Sequence, residues 1–209
     1  MKLKPDYSLY LCTDSTLMSC KTVEESVEKA IIGGCTVVQL REKNCSSREL
    51  FELALRVKKV TDSYKIPLII NDRLDICLAA DADGVHLGQQ DLPCAEARKI
   101  LGKDKIIGVS AALPEEAAAA EAAGADYLGV GAVFATSTKT NTRPVTPETI
   151  RAIRAAVSIP FVVIGGVNQS NISSLYGLGI NGAAVISAVI AQPDITEAAR
   201  QMKAAVKGL

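Results

Sequence analysis

The stretch VVQLREK, residues 37–43, begins as an apolar strand and ends with Gln39, Arg41 and Lys43 at alternate positions. Side chains two apart on a β-strand project to one face, so an amide, a guanidinium and an ammonium are expected to look the same way. Other chemistry-bearing residues recur at the ends of apolar runs. Asn71 and Asp72 close PLIIN, HLGQQD supplies His86 and Asp91, and Ser110 ends IIGVS. GAVFATSTKTNTRP supplies Thr136, Thr138 and Lys139, Gly165-Gly166 closes FVVIG, and Ser187 closes GAAVIS. Arg41, Lys43 and Lys139 make a set of three cations suited to a diphosphate. Asp72 and Asp91 offer the hard oxygens that Mg²⁺ takes when it also bridges phosphates. Gly165-Gly166 and the following ISA match a barrel phosphate site, in which backbone N–H groups receive a monoester. Taken together, these residues point to a two-substrate transferase that releases pyrophosphate. Each has a blander reading: Arg41 and Lys43 as a solvated strand end, Asp72 and Asp91 as helix caps, TSTKTNT as a polar loop, IGG as a turn. Their convergence on one rim argues for the chemical reading.

That convergence requires a scaffold. Apolar, β-rich runs fall at 7–13, 36–41, 67–71, 84–87, 106–110, 127–131, 161–165 and 182–187. Helical patterns separate them at 23–32, 46–64, 74–79, 93–101, 114–123, 146–157, 171–176 and 195–206. Several helices run into glycines before the next strand (Gly33-Gly34, Gly124, Gly177 to Gly179), where left-handed caps are expected. Eight strand–helix units in a chain this short predict an α/β fold, a parallel, eight-stranded (β/α)8 TIM barrel occupying 1–209 as one domain. Chemistry in such a barrel sits at the carboxyl ends of the strands. The competing open Rossmann sheet has only GVGAVF in its favour, and Phe134 stands where the third glycine belongs.

Bulk composition narrows the partners. The chain has 209 residues, 48% of them hydrophobic, and 23 basic residues balance 23 acidic ones. Zero net charge gives no support for a nucleic-acid or anionic-membrane partner. No apolar run approaches a membrane span, and MKLKPDYSLYLCTD lacks a signal-peptide pattern, so a cytoplasmic protein is expected. Six cysteines without C-x-x-C spacing, and a single histidine, read as free thiols rather than disulfides or a zinc site. Small molecules are the expected partners, and a homo-oligomer is left open.

Over nearly its whole length the sequence resembles the thiamine-phosphate synthase (thiamine-phosphate pyrophosphorylase) family. YLCTD, VVQLREK, LIINDR, DGVHLGQQDL, IIGVS, YLGVGAVFATSTK, VVIGGV and GAAVISAV carry the resemblance in order. It implies the same barrel. It also implies a reaction joining 4-amino-2-methyl-5-hydroxymethylpyrimidine diphosphate to a thiazole phosphate, giving thiamine phosphate and pyrophosphate, with CO2 when the thiazole is carboxylated. Matched by motif, Gln39, Leu40, Arg41, Glu42, Lys43, Asn71, Ser110 and Lys139 resemble the pyrimidine-diphosphate contacts. Arg41, Lys43, Ser110 and Lys139 are the expected catalytic groups among them, and Asp72 and Asp91 resemble the Mg²⁺ ligands. Thr136, Ser137, Thr138, Gly166, Ile186 and Ser187 resemble the thiazole-phosphate set. Two departures stand out: Gly131-Ala132 where many relatives have Gly-Pro, and TNTRPVTPETI without their Pro-x-Gly pattern. The rival readings are a thiazole tautomerase working through His86, and a non-catalytic barrel that binds a phosphorylated ligand.

Overall fold

The computed structural model describes residues 4–136 and 143–209. The eight apolar runs form eight parallel strands that pair in chain order, and the last closes on the first. They are β1 (Leu9–Cys12), β2 (Val37–Leu40), β3 (Leu68–Asn71), β4 (Gly84–Leu87), β5 (Ile106–Ala111), β6 (Tyr127–Gly131), β7 (Phe161–Ile164) and β8 (Gly182–Val185). Between them run α1 (Val23–Ile32), α2 (Ser47–Ser63), α3 (Leu74–Ala79), α4 (Cys94–Leu101), α5 (Pro114–Ala122) and α6 (Pro147–Ala156). A short α7 (Ser187–Ile190) and then α8 (Ile195–Ala205) follow the last strand.

Strand alternation sorts the side chains into two cores. Leu9, Leu11, Val38, Leu40, Leu68, Ile70 and Val85 face outward, under the helices. Tyr10, Cys12, Val37, Ile69, Ile106, Tyr127, Val162 and Ala184 fill the barrel interior. A parallel sheet is buried on both faces, which is why its strands read as near-continuous apolar runs. Helix starts are set locally. Ser46 and Glu49 form a reciprocal capping box on α2, and Thr22, Thr146 and Asp194 each accept a backbone N–H at their helix.

Two local expectations are corrected. Gly33 is right-handed, at φ −75°, and the left-handed residue is Gly34, at φ +114°. Gly33 is needed for space, because a Cβ there would lie 2.4 Å from the Thr196 carbonyl oxygen and 2.5 Å from Ala199 Cβ of α8. The segment 171–176 yields only a 3-10 turn, Ile172–Leu175. There Asn171 Oδ1 accepts the Asn168 N–H at 2.9 Å and Ser174 Oγ donates to the Asn171 carbonyl at 2.8 Å. Such side-chain bonds compete with a continued helix.

Candidate functional site

A cavity of about 130 Å³ opens at the carboxyl ends of the strands. Gln39 reaches it from β2 and Arg41 from just beyond β2, Asn71 from β3, His86 from β4 and Ser110 from β5. Thr136, Gly166, Ile186 and Ser187 line it from the segments after β6, β7 and β8. The structure thus brings together most of the residues expected to act on substrate. Ser137, Thr138 and Lys139 lie outside the described residues.

The VVQLREK strand stops at Leu40, so the alternation that starts at Gln39 does not extend to Lys43. Arg41 lines the cavity, its backbone N–H donating to Thr13 Oγ1 at 3.0 Å and its guanidinium 3.9 Å from Asp14. Lys43 instead sits half-exposed at the rim, ion-paired with Asp72. Leu40 packs its side chain into the outer core, and Glu42 turns back to accept from Thr13 Oγ1 at 2.7 Å and the Ser15 N–H at 3.0 Å. Glu42 therefore buttresses the loop after β1, and of Leu40 only the backbone is left to face a ligand.

Neither aspartate caps a helix. α3 starts from Arg73 and α4 from Pro93, both without a side-chain cap. Asp72 holds a left-handed backbone, φ +61°, while its N–H donates to the His86 carbonyl at 2.8 Å. Asp91 Oδ2 accepts the Gly88 N–H at 2.6 Å. The two carboxyls influence each other's ionisation. Burial acts to raise Asp72, but the Lys43 ammonium and the bond from Asp91 hold it below the usual aspartate range. Burial also raises Asp91, and against the pull of the Gly88 amide the neighbouring Asp72 carboxylate keeps it above that range. Two acids pushed apart in this way repel each other when both are ionised, and a divalent cation relieves that repulsion. Among the described residues no cluster of three or more His, Cys, Asp or Glu side chains is placed to hold a metal. The donor set fits an ion whose remaining ligands are phosphate oxygens and water.

The region expected to receive the second phosphate is built from backbone. Gly165 and Gly166 have φ of +98° and +65°. Phe134 N–H donates to the Gly165 carbonyl and Val133 N–H to the Ile164 carbonyl, both at 3.0 Å, so the segment leading to Thr136 is tied to β7. The Gly131–Ala132 peptide bond in this segment is cis.

Sequence reasoning missed Tyr10 and Tyr127, whose hydroxyls meet at 2.8 Å in the cavity floor. The available signal was a phenol inside each of two apolar strands, since a buried tyrosine needs a partner for its O–H. The cysteines are all free, and burial pushes the thiols of Cys12, Cys35 and Cys77 up to about 12. No helix among the described residues is long and apolar enough to cross a membrane.

Comparison with known proteins places this architecture. A family model described as thiamine monophosphate synthase matches residues 9–189. The thiamine-phosphate synthase of Clostridium beijerinckii is 57% identical over 203 residues, 97% of each chain. That of Ruminiclostridium cellulolyticum is 58% identical over 202 residues, covering 97% of this chain and 96% of the relative. Among solved structures, thiamine phosphate pyrophosphorylase from Pyrococcus furiosus superposes with a TM-score of 0.89 at 40% identity, covering 97% of this chain and 96% of that one. With a closed eight-stranded barrel and matches of this extent, the chain belongs to the thiamine monophosphate synthase family of transferases.

Proposed function

We propose that this enzyme is a thiamine-phosphate synthase that displaces pyrophosphate from 4-amino-2-methyl-5-hydroxymethylpyrimidine diphosphate with the nitrogen of a thiazole phosphate. The observation that carries the reading is one cavity joining Gln39, Arg41, Asn71 and Ser110 to Thr136, Gly166 and Ser187, beside the Lys43–Asp72–Asp91 cluster. One half is cationic and acidic together, as a metal diphosphate requires. The other presents glycine backbone, as a phosphate monoester requires.

In this reading Gln39 and Asn71 orient the pyrimidine, and Arg41, Lys43 and Lys139 take up the negative charge that grows as pyrophosphate departs. Asp72 and Asp91 would hold Mg²⁺, which withdraws charge from the diphosphate oxygens. Lys43 is already paired with Asp72, so phosphate binding exchanges part of an existing ion pair rather than ordering a free side chain. Gly166, Ile186 and Ser187 hold the thiazole phosphate so that its ring nitrogen faces the carbon losing pyrophosphate. The family resemblance implies a dissociative path on which the aminopyrimidine stabilises the cation. No protein nucleophile is needed. With the carboxylated thiazole, CO2 leaves as well. The test is direct: incubate the protein with both substrates and Mg²⁺ and quantify thiamine phosphate and pyrophosphate. Stoichiometric appearance of both is expected, and isomerisation of the thiazole without coupling would overturn the assignment.

A further inference from the structure

Five polar side chains cross the cavity floor in one hydrogen-bonded row. Gln39 Nε2 donates to Tyr10 Oη at 2.8 Å, and Tyr10 Oη lies 2.8 Å from Tyr127 Oη. Tyr127 Oη is 2.9 Å from His86 Nδ1, and His86 Nε2 is 3.0 Å from Ser110 Oγ. The row thereby connects two residues of the proposed substrate site, Gln39 and Ser110, through three that the proposed mechanism does not use.

Donor counting gives the row a direction. An amide nitrogen only donates, so Tyr10 Oη accepts from Gln39; the buried Tyr10 proton then needs an acceptor of its own, and Tyr127 Oη is the neighbour in the row that offers one. Tyr127 then directs its own proton to His86 Nδ1. An accepting Nδ1 leaves the imidazole proton on Nε2, from which it is donated to Ser110 Oγ. The Ser110 hydroxyl proton is then directed to an acceptor in the cavity. At the other end, Oε1 is the part of the Gln39 amide that the row does not engage. Burial holds both phenols well above their ordinary pKa, so each carries one proton throughout the working range.

The backbone makes room for this arrangement. A Cβ on Gly108 would lie 2.1 Å from Tyr127 Cζ, and one on Gly129 would lie 2.9 Å from His86 Cε1. Two strand-interior glycines, normally unfavourable in a sheet, thus sit where two of the three rings of the row require space.

We propose that Tyr10 and Tyr127 are positioning residues that hold His86 as its Nε2–H tautomer, making Ser110 a hydrogen-bond donor and Gln39 Oε1 an acceptor toward the ligand. Resting on the function proposed above, this polarity suits a heteroaromatic amine at Gln39 and an acceptor atom of the same substrate at Ser110.

The protein has one histidine, so after removal of any affinity tag its ¹⁵N-labelled imidazole is identified without assignment. At neutral pH and without ligand, wild type should show a pyrrole-type Nε2 and a pyridine-type Nδ1. Tyr127→Phe should mix the two tautomers, and so should Tyr10→Phe, which leaves the Tyr127–His86 contact in place but removes the donor that fixes its direction. In kinetics, Ser110→Ala should cost roughly tenfold or more in kcat/KM in wild type, and less than about threefold in Tyr127→Phe. A protonated Nδ1 in wild type would mean that the row runs the other way, with the Gln39 amide reversed, and overturns the proposal. So does an unchanged tautomer in Tyr127→Phe, or a Ser110→Ala loss that is the same in both backgrounds. The tautomer is read on the ligand-free protein, so failure of the synthase assay with the expected spectra would reject the function and not the row.

Discussion

Replacing Gly166 with alanine should separate the two proposed anion regions of the cavity. Gly166 sits at φ +65°, and an added Cβ would lie 2.5 Å from the Ala135 carbonyl oxygen and 2.9 Å from Phe134 Cβ. A left-handed backbone costs a non-glycine residue about 1–2 kcal/mol. The clash with backbone adds about 1–3 kcal/mol, because a carbonyl cannot rotate aside as a side-chain tip can. The sum, about 2–5 kcal/mol, is below the usual stability of about 5–15 kcal/mol, so the variant should fold. Relief comes most readily by moving 134–135, and with it Thr136. Losing one charge-assisted hydrogen bond to phosphate is worth about 1.5–3 kcal/mol, so thiazole-phosphate affinity should fall roughly ten- to a hundredfold. Gly177 supplies the control: its φ is +75° but nothing lies within 4 Å of its Cβ position. Gly177→Ala should therefore show the backbone cost alone, a Tm drop of about 2–8 °C, with affinity unchanged. Calorimetry with thiazole phosphate, and separately with Mg²⁺-pyrophosphate, reads the outcome. Should Gly166→Ala match Gly177→Ala in both Tm and affinity, the steric reasoning is wrong. Equal loss of both ligands would mean one shared anion site.

Metal dependence follows from the carboxyl pair: EDTA or Asp91→Asn should lower pyrophosphate release at least about a hundredfold, while Tm stays within roughly 2 °C because a repulsion is removed. Full turnover in metal-free buffer would refute it. Lys139→Ala should lower kcat on the order of a hundredfold, as expected for loss of a transition-state donor, and an effect confined to KM for the thiazole would assign Lys139 a different role. The Glu116 carboxylate, mostly buried, accepts the Ala112 N–H at 2.8 Å and pairs with Arg143. Burial raises its pKa, but these partners bring it below the ordinary 4.5. A depressed acid stabilises the fold above its unfolded pKa and loses that contribution as pH falls through the folded value. The Tm gap between wild type and Glu116→Gln should therefore be constant above pH 4.5 and close below it. A gap that widens on acidification would show that the pair does not stabilise the fold.

What was legible in the sequence was whatever depends on neighbours along the chain. GVHL and YLGVG start and stop as strands where the apolar pattern predicts, because turn residues bound them on both sides. Lys43 shows the limit. Its spacing from Arg41 implies a shared face only while the backbone is a strand, and β2 ends at Leu40. The capping readings of Asp72 and Asp91 were equally local, and failed because each carboxyl found a partner from another strand end. The Tyr10–Tyr127 contact was out of reach for the same reason, since it joins residues 117 apart in sequence. Only closure of the barrel brings β1 and β6 to a common interior.

Backbone conformation gives a separate argument for where function lies. Among the described residues, left-handed φ values occur in two settings. Gly34, Lys65, Asp81, Gly102, Gly124, Gly177 and Gly179 follow helices or the 3-10 turn and precede the next strand. There the left-handed residue ends a helix and turns the chain, a requirement of the fold whatever the protein does. Asp72, Gly165 and Gly166 instead follow strands β3 and β7, where no helix has to be ended. Asp72 meets Lys43 and lies near Asp91, and the two glycines line the cavity against the segment before Thr136. Non-glycine residues hold this conformation only when their surroundings compel it, and such compulsion gathers at ligand sites. Asp72 is held by its bond to the His86 carbonyl, the same residue whose ring belongs to the row beneath the cavity. The backbone of His86 thus braces the carboxyl cluster while its side chain braces Ser110. A side-chain substitution at His86 leaves that carbonyl in place, so it should disturb the proposed pyrimidine site through Ser110 while the bond that holds Asp72 at the proposed metal site is kept.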